Sequence, residues 1–482
     1  MQSRVIKPLA AILSVLGFAA ILLASNGVIN VISTNQVSNE NLTGFRWEPT
    51  TAAGATWAAA WATYPAGNTN AVTSYASAWN GGWQGPVPLT PPNGLQTGDV
   101  NLSWDPVRNR FVFALLDFGS FANPNIWYGH STDSSGSQWV FANNGQPVFS
   151  SAAGPDWDYP SIGVDASGRV IIGGVNFNPV GYYAAVSSDG ETFSSPSILP
   201  LSGSGASLGA QSRVVAAGGT FHVFVPILSG QNLPTEVDRY ESTDGVNWSG
   251  PSIVMSFGAP LNSAQPGGSD RPIFYAPLLS AAGYTDGRWI VGSQINNGGW
   301  NNLEICTSDR GCGLVNAGAD DQFLAGVSVS GDGYWATYTT YSTLGSRSLP
   351  LITQAIYFPS GQAAIGATTN ANIDPTSWAV AGLPGQSPPP RCASQCYAGG
   401  DYNTPSSNPF AGSNSTFVQR SSRQDDLFQS FQQDPQGTPN VANFKPNFVS
   451  HGLGINLAAR SVPVPRDSRA LSPRIARGFR TK

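Results

Sequence analysis

The sequence predicts an all-β chain: a six-bladed β-propeller of four-stranded antiparallel blades, its ring closed by N- and C-terminal strands. Three observations carry this expectation. Gly (55), Trp (14) and Tyr (15) are plentiful while charged residues make up only 11%, which suits short strands joined by polar turns. A turn followed by an aromatic residue, a proline and an aliphatic residue recurs, as SSDGETFSSPSIL (Ser187 to Leu199) and again as STDGVNWSGPSIV (Ser242 to Val254). No helical pattern of any length follows the first 26 residues.

Residues 1–26 begin with Arg4 and Lys7, continue with an apolar run from Leu9 to Ala24 and end in small polar residues. This is the pattern of an export signal; the run is long for a cleaved signal and slightly short for a membrane span, so a retained N-terminal anchor is the alternative. Either way the chain is expected to be extracellular, secreted or held on the outer face of the membrane, and a monomer. Residues 27–70 read as a lead-in segment and 71–420 as the propeller.

Within the propeller each unit starts with an alternating strand, a polar turn and a second strand. These hairpins begin at Asn101 (NLSWDPVRNRFVFALLDF), Ser161, Ser212, Pro272 and Gly326. Each is followed by an outer hairpin that carries a copy of the recurrent turn, of which STDSSGSQWV (Ser131 to Val140), TSDRGC and NIDPTSWAV are looser versions. Ser77 to Leu89 has the outer half without a clear inner hairpin before it, and Gly400 to Gln419 resembles an inner hairpin lacking its outer one. Read together they form one shared blade, which leaves no open sheet edge. Residues 421–482 are rich in Gln and Pro and then in Arg, and read as a low-complexity, basic tail.

Apart from that tail the chain is acidic, and its net charge is -5 with only three Lys. Nucleic-acid binding is therefore not expected, because phosphate neutralisation supplies most of its free energy. Cys306 with Cys312, and Cys392 with Cys396, are close enough in sequence for two short-loop disulfides in an oxidising compartment. A zinc site is disfavoured, since His130, His222 and His451 are all remote from these thiols, and no metal is expected.

The recurrent turns resemble the Asp-box, or BNR repeat, of pattern Ser-x-Asp-x-Gly-x-Thr-Trp. Both clear copies are one residue short, and the copy at Ser131 is one residue long. Over about residues 71–419 the chain thereby resembles the sialidase-like, or neuraminidase-like, six-bladed propellers. The resemblance implies a structural turn on the blade periphery for Ser187, Asp189, Gly190 and Phe193, for Ser242, Asp244, Gly245 and Trp248, and for Ser131, Asp133 and Trp139. The residue types agree, since an Asp opening a tight turn accepts nearby backbone N–H groups, the glycine takes a positive φ and the aromatic packs between sheets.

A ligand is expected instead at the channel mouth, where the innermost strands begin. Asp99 and Asn101, Asp158 and Tyr159, Gln211 and Arg213, Asp270 and Arg271, and Asp401 and Tyr402 precede or open those strands. Carboxylates, tyrosines and arginines converging there suit a glycan or cell-surface polysaccharide, with arginine gripping a sugar carboxylate. The resemblance implies three arginines, for which Arg213 and Arg271 are candidates with Arg391 or Arg46 as thirds. It also implies a tyrosine nucleophile, for which Tyr402 or Tyr159 is placed, and an aspartic acid/base, for which Asp99 or Asp158 is placed. Two departures favour binding over hydrolysis. The family's Phe/Tyr-Arg-Ile-Pro motif is absent, and the six Glu lie before the propeller (Glu40, Glu48) or on the outer-strand side (Glu191, Glu236, Glu241, Glu304). The remaining reading of Asp158, Tyr159, Asp401 and Tyr402 is that they cap inner strands. No cofactor is expected; Ca²⁺ would suit an oxygen-lined mouth, but no dense loop of alternating Asp or Asn specifies it.

Overall fold

A computed structural model of the chain describes residues 30–36, 44–65, 72–80, 82–117, 124–152, 154–200, 207–208, 212–228, 234–257, 279–315, 322–329, 333–341, 351–359, 369–374, 406–407, 413–420 and 425–433. Leader residues 1–26, Cys392, Cys396 and the basic end of the chain lie outside them. Among the described residues, apart from one short 3-10 turn at Asn143–Gly145, every element is a strand. No described helix is long and apolar enough to cross a membrane.

The strands form small antiparallel sheets in propeller order. Among the described residues six are four-stranded and a seventh, over residues 207–256, has an additional two-residue strand, so the all-β propeller of four-stranded sheets is as the sequence predicts but the ring counts seven sheets rather than six. There Ser207–Leu208 and Arg213–Ala217 lie end to end along the same side of Thr220–Leu228, so this blade too is four strands wide. The innermost strands follow one another around the ring: Gly44–Ala53, Thr97–Asp105, Trp157–Val164, Arg213–Ala217, Ser280–Gly283, Gln322–Val329 and Ser406–Ser407, the last also touching Gly44–Ala53.

The ring is closed by strands from the two ends, but not by the segments expected. Ser77 to Leu89 does have an inner hairpin before it, Gly44–Ala53 paired with Trp57–Pro65. Residues 400–419 contribute to a different sheet, in which Ser406–Ser407, Ser413–Arg420 and Asp425–Gln433 are completed by Asn30–Gln36. Blade strands thus reach into the segments read as lead-in and tail. The physical reason is composition: the first hairpin is built on Ala52, Ala58, Ala59, Ala60 and Ala62, all buried, and alanine is a weak strand signal. In DDLFQSFQQ the polar residues similarly mask the alternation.

The core lies between blades. One cluster joins Ala52, Ala58 and Ala60 to Leu102, Phe111, Phe113 and Leu115 of the next blade, and others repeat this around the ring. Close approach of the inner strands requires missing side chains: a Cβ at Gly283 would stand 2.1 Å from the Ala216 carbonyl oxygen. Near the channel the seams are stitched by polar side chains on backbone N–H groups. The Leu102 amide donates to Thr50 Oγ1 (3.3 Å), Ile162 to Asn101 Oδ1 (3.4 Å), Val214 to Ser161 Oγ (3.0 Å) and Val327 to Ser280 Oγ (3.0 Å).

At the hairpin-turn end an arginine staple repeats. Arg108 is held by Asp105 and donates to the Gly168 and Ser188 carbonyls of the next blade. Arg169, held by Asp165, donates likewise to Gly219 and Thr243. Ser188 and Thr243 belong to the recurrent turns, so each turn offers its carbonyl to its neighbour's arginine.

Candidate ligand site at the central channel

The recurrent turns are closed, self-satisfied units. Asp189 Oδ1 accepts from the Glu191 and Thr192 amides and the Ser187 hydroxyl, and its Oδ2 accepts from the Thr192 hydroxyl. Asp244 repeats this with Val246, Asn247 and Ser242. Hydrogen bonds from Thr192, and from Asn247 in the second copy, hold both carboxyls well below the usual carboxylate range. Gly190 and Gly245 have φ of 68° and 75°; Phe193 meets Tyr128 edge-on at 4.8 Å, and Trp248 packs against the next seam. In the longer copy Asp133 accepts from Ser135 instead, and Trp139 packs on Phe111 and Phe113. The carboxylates of these turns are occupied by their own amides and hydroxyls and some of their carbonyls by the neighbouring blade's arginine, so these turns hold shape.

The innermost strands enclose a cavity of about 360 Å³ along the ring axis. Its described walls come from six blades: residues 51–54, 101–104, 106, 161–166, 213–216, 218, 280–285 and 327–329 contribute. The interior is mostly small and aliphatic, while Trp104 and Tyr284 stand near the hairpin turns. Among the described residues Arg213 is the one cationic side chain in this wall, and it is 4% exposed; its Nε donates to the Leu279 carbonyl (3.2 Å). Asp165, also in the wall, would be raised by burial, but hydrogen bonds from Ser167 and Arg169 prevail and hold it low.

Just before the wall begins, the inner strands carry bulges. Register shifts fall between Trp47 and Thr50, Thr97 and Val100, Asp158 and Ser161, and Phe323 and Gly326. A bulge re-aims side chains and recurs at barrel rims and active sites. Asp99 lies in the second of these and is buried, and its Oδ1 has no hydrogen-bond partner among the described residues. Asp158 and Tyr159 lie at the third; the Tyr159 amide donates to Asp158 Oδ1 (2.9 Å), and Tyr159 holds a φ of 52°, left-handed backbone that a non-glycine residue rarely adopts.

Of the residues expected at the mouth, Asp99, Asp158, Tyr159 and Arg213 thus sit on adjacent inner strands around one axis. Asp270, Arg271, Asp401 and Tyr402 lie outside the described residues, as does Arg391. Arg46 lies on the inner strand Gly44–Ala53. Two residues were missed or misplaced by sequence reasoning. Glu48 does not precede the propeller; it falls in the first bulge, next around the ring from Asp99. Tyr182 is fully buried with its hydroxyl over Gly173, where a Cβ would stand 1.9 Å away. Burial pushes this phenol above its usual range, against the opposing pull of the Arg213 cation. Its strand reads as ordinary core, so no sequence signal marks it. Glu191 is at the periphery on a recurrent turn, and Glu236, Glu241 and Glu304 are on third strands of their blades, as expected.

The cysteine expectation is met where it can be seen: Cys306 and Cys312 face each other across two paired strands and form a disulfide. Among the described residues no group of His, Cys, Asp and Glu could hold a metal ion.

No family model matches the chain, and no curated protein matches it. Among solved structures, a Dyadobacter fermentans protein of unknown function is similar at 10% identity and a TM-score of 0.45, over 84% of this chain and 99% of that one. An α-L-arabinanase of Penicillium chrysogenum, complexed with arabinobiose, is similar at 13% identity and a TM-score of 0.43, over 68% and 98%. An endo-arabinase of Bacteroides thetaiotaomicron is similar at 14% identity and a TM-score of 0.34, over 56% and 95%.

Proposed function

We propose that the chain is a secreted or cell-surface propeller that binds glycan at the channel mouth, with Asp99, Asp158 and Tyr159 as the recognising groups. The observation that carries this reading is Tyr159, a tyrosine held in left-handed backbone inside a bulge, beside a buried carboxylate and one blade from another. Strain of that kind costs about 1–3 kcal/mol and persists where surrounding structure fixes a side chain for a purpose. Paired carboxylates and a phenol are the acceptors and donors that sugar hydroxyls require. Arg213, with Arg271, would favour a carboxylated sugar.

Exo-acting hydrolysis of the sialidase type is the second reading, and Glu48 is the observation that favours it. Glu48 falls in the bulge of the first inner strand, one blade from the bulge that holds Asp99, and a glutamate is a residue type that serves as acid or base. A scaffold role in the envelope, without ligand, is the outcome if neither holds. The full chain is tested on a glycan array and against a panel of fluorogenic aryl glycosides that includes a sialoside. Binding without fluorophore release, weakened at least tenfold by Asp158→Ala, is the expected result. Turnover abolished by Glu48→Gln would replace it with hydrolysis, and silence in both assays would leave the scaffold.

A further inference from the structure

We infer that the glycan taken at the mouth carries a free amine, received as an ammonium by Asp99; this rests on the glycan-binding reading and adds a chemical class to it. The fold satisfies other carboxylates that it buries. Asp105 accepts from the Val107 and Arg108 amides and the Arg108 guanidinium, Asp117 from Asn125 and the Trp127 indole, and Asp165 from Ser167 and Arg169. Asp99 is as deeply enclosed, at 3% exposed, yet its Oδ1 has no hydrogen-bond partner among the described residues. A buried carboxylate oxygen without a donor is unfavourable until a donor from outside the fold reaches it, and a cation relieves it most.

Its place in the strand brings Asp99 to the mouth. The register shifts between Thr97 and Val100, so Asp99 lies in a bulge at the level where the mouth begins. Val100 and Leu102 pack back on the preceding blade, while Asn101 reaches forward to the Ile162 amide. Alternation from Val100 therefore puts Asp99 on the forward side with Asn101, toward the strand that carries Asp158 and Tyr159. An ammonium is compact and offers three donors and no acceptor, which suits an enclosed carboxylate. A metal ion would need several ligating side chains together, and among the described residues no such group of His, Cys, Asp and Glu occurs. The net charge of -5, with only three Lys, draws a cationic ligand in. Arg213 stands two inner strands further round the ring, so one oligosaccharide can present an acid there and an amine to Asp99.

A glycan array printed with matched pairs, each oligosaccharide with its amine free or N-acetylated, tests this on the full chain at pH 6, where the free amine is charged. The free-amine member is expected to bind at least tenfold more tightly than its N-acetylated partner, measured by titration calorimetry on the strongest pair. Asp99→Asn keeps the side chain's shape and removes its charge. It is expected to erase that preference while raising the Tm of the ligand-free chain, because the buried unpaired charge is gone. A lower Tm, or a variant that does not fold, would show Asp99 holding the fold and overturn its assignment; the matched pairs on the unaltered chain still decide the amine. Equal binding of the two members, or preference for the N-acetylated one, would overturn the amine and leave glycan binding standing. Binding to no member would remove the glycan reading itself, and this inference with it.

Discussion

Asp244 shows how much a single side chain does in this fold. It takes two backbone amides, a hydroxyl and an amide side chain, and shapes the turn whose Thr243 carbonyl receives Arg169 from the preceding blade. Asp244→Ala is therefore expected to lower Tm without touching the channel, and Asp244→Asn to lower it less. Because hydrogen bonding depresses this carboxyl and that of Asp189, their contribution is present above the unfolded carboxylate pKa of about 4 and is lost as pH falls below it. His222 acts in a different window. Burial, reinforced by the nearby Arg239 cation, pulls its pKa down to about 4, and its ring lies against Phe224 and Trp289. The unfolded chain binds that proton from about pH 6.5 downward while the folded chain does not, so stability declines between about pH 6.5 and 4. Equilibrium urea unfolding across that range should show His222→Gln flattening the decline. The roles of Asp189 and Asp244 were legible from spacing alone, since a serine, an aspartate and a glycine in that order specify a turn. Tyr182 was not, because a buried tyrosine hydroxyl looks like any strand tyrosine until its neighbours are placed.

Among elements, the inner strands carry both packing and function. Each needs small residues where its neighbour approaches and a bulge where the mouth begins. A side chain at Gly283 would meet main chain that cannot move aside, so Gly283→Val should destabilise by about 1–3 kcal/mol. Removing a staple should cost a comparable amount: Arg169→Met takes the guanidinium away from Asp165 Oδ2 and from two carbonyls, an expected loss of about 2 kcal/mol in chemical denaturation. The inner hairpins beginning near Asn101, Ser161 and Ser212 could be read from their polar turns and β-branched flanks. The hairpin of residues 44–65 could not, because alanines that suit its crowded seams carry little strand preference. The same weak strand signal covers Glu48, which the sequence alone assigns to the segment before the ring.

At the scale of the molecule, closure by both chain ends makes the ring one cooperative object. Asn30–Gln36 completes the outer edge of the last sheet, so removal of residues 1–36 would leave Asp425–Gln433 as an open edge. A lower Tm by calorimetry and concentration-dependent association by light scattering are expected of that truncation. The repeat was legible because successive blades reuse one turn; the closing segments were not, because each contributes only part of a sheet and their sheet carries no copy of that turn. The channel mouth followed from the same repeat, which sends the recurrent turns to the periphery and leaves Asp99, Asp158, Tyr159 and Arg213 around the axis. The most direct test of the glycan-binding reading is titration calorimetry of the strongest array glycan against the full chain, Asp158→Ala and Asp189→Ala, each first shown to be folded. At least a tenfold loss for Asp158→Ala with Asp189→Ala unchanged is the predicted result. Equal affinity in Asp158→Ala and the unaltered chain, or a loss confined to Asp189→Ala, would contradict a site at the mouth and move function to the rim.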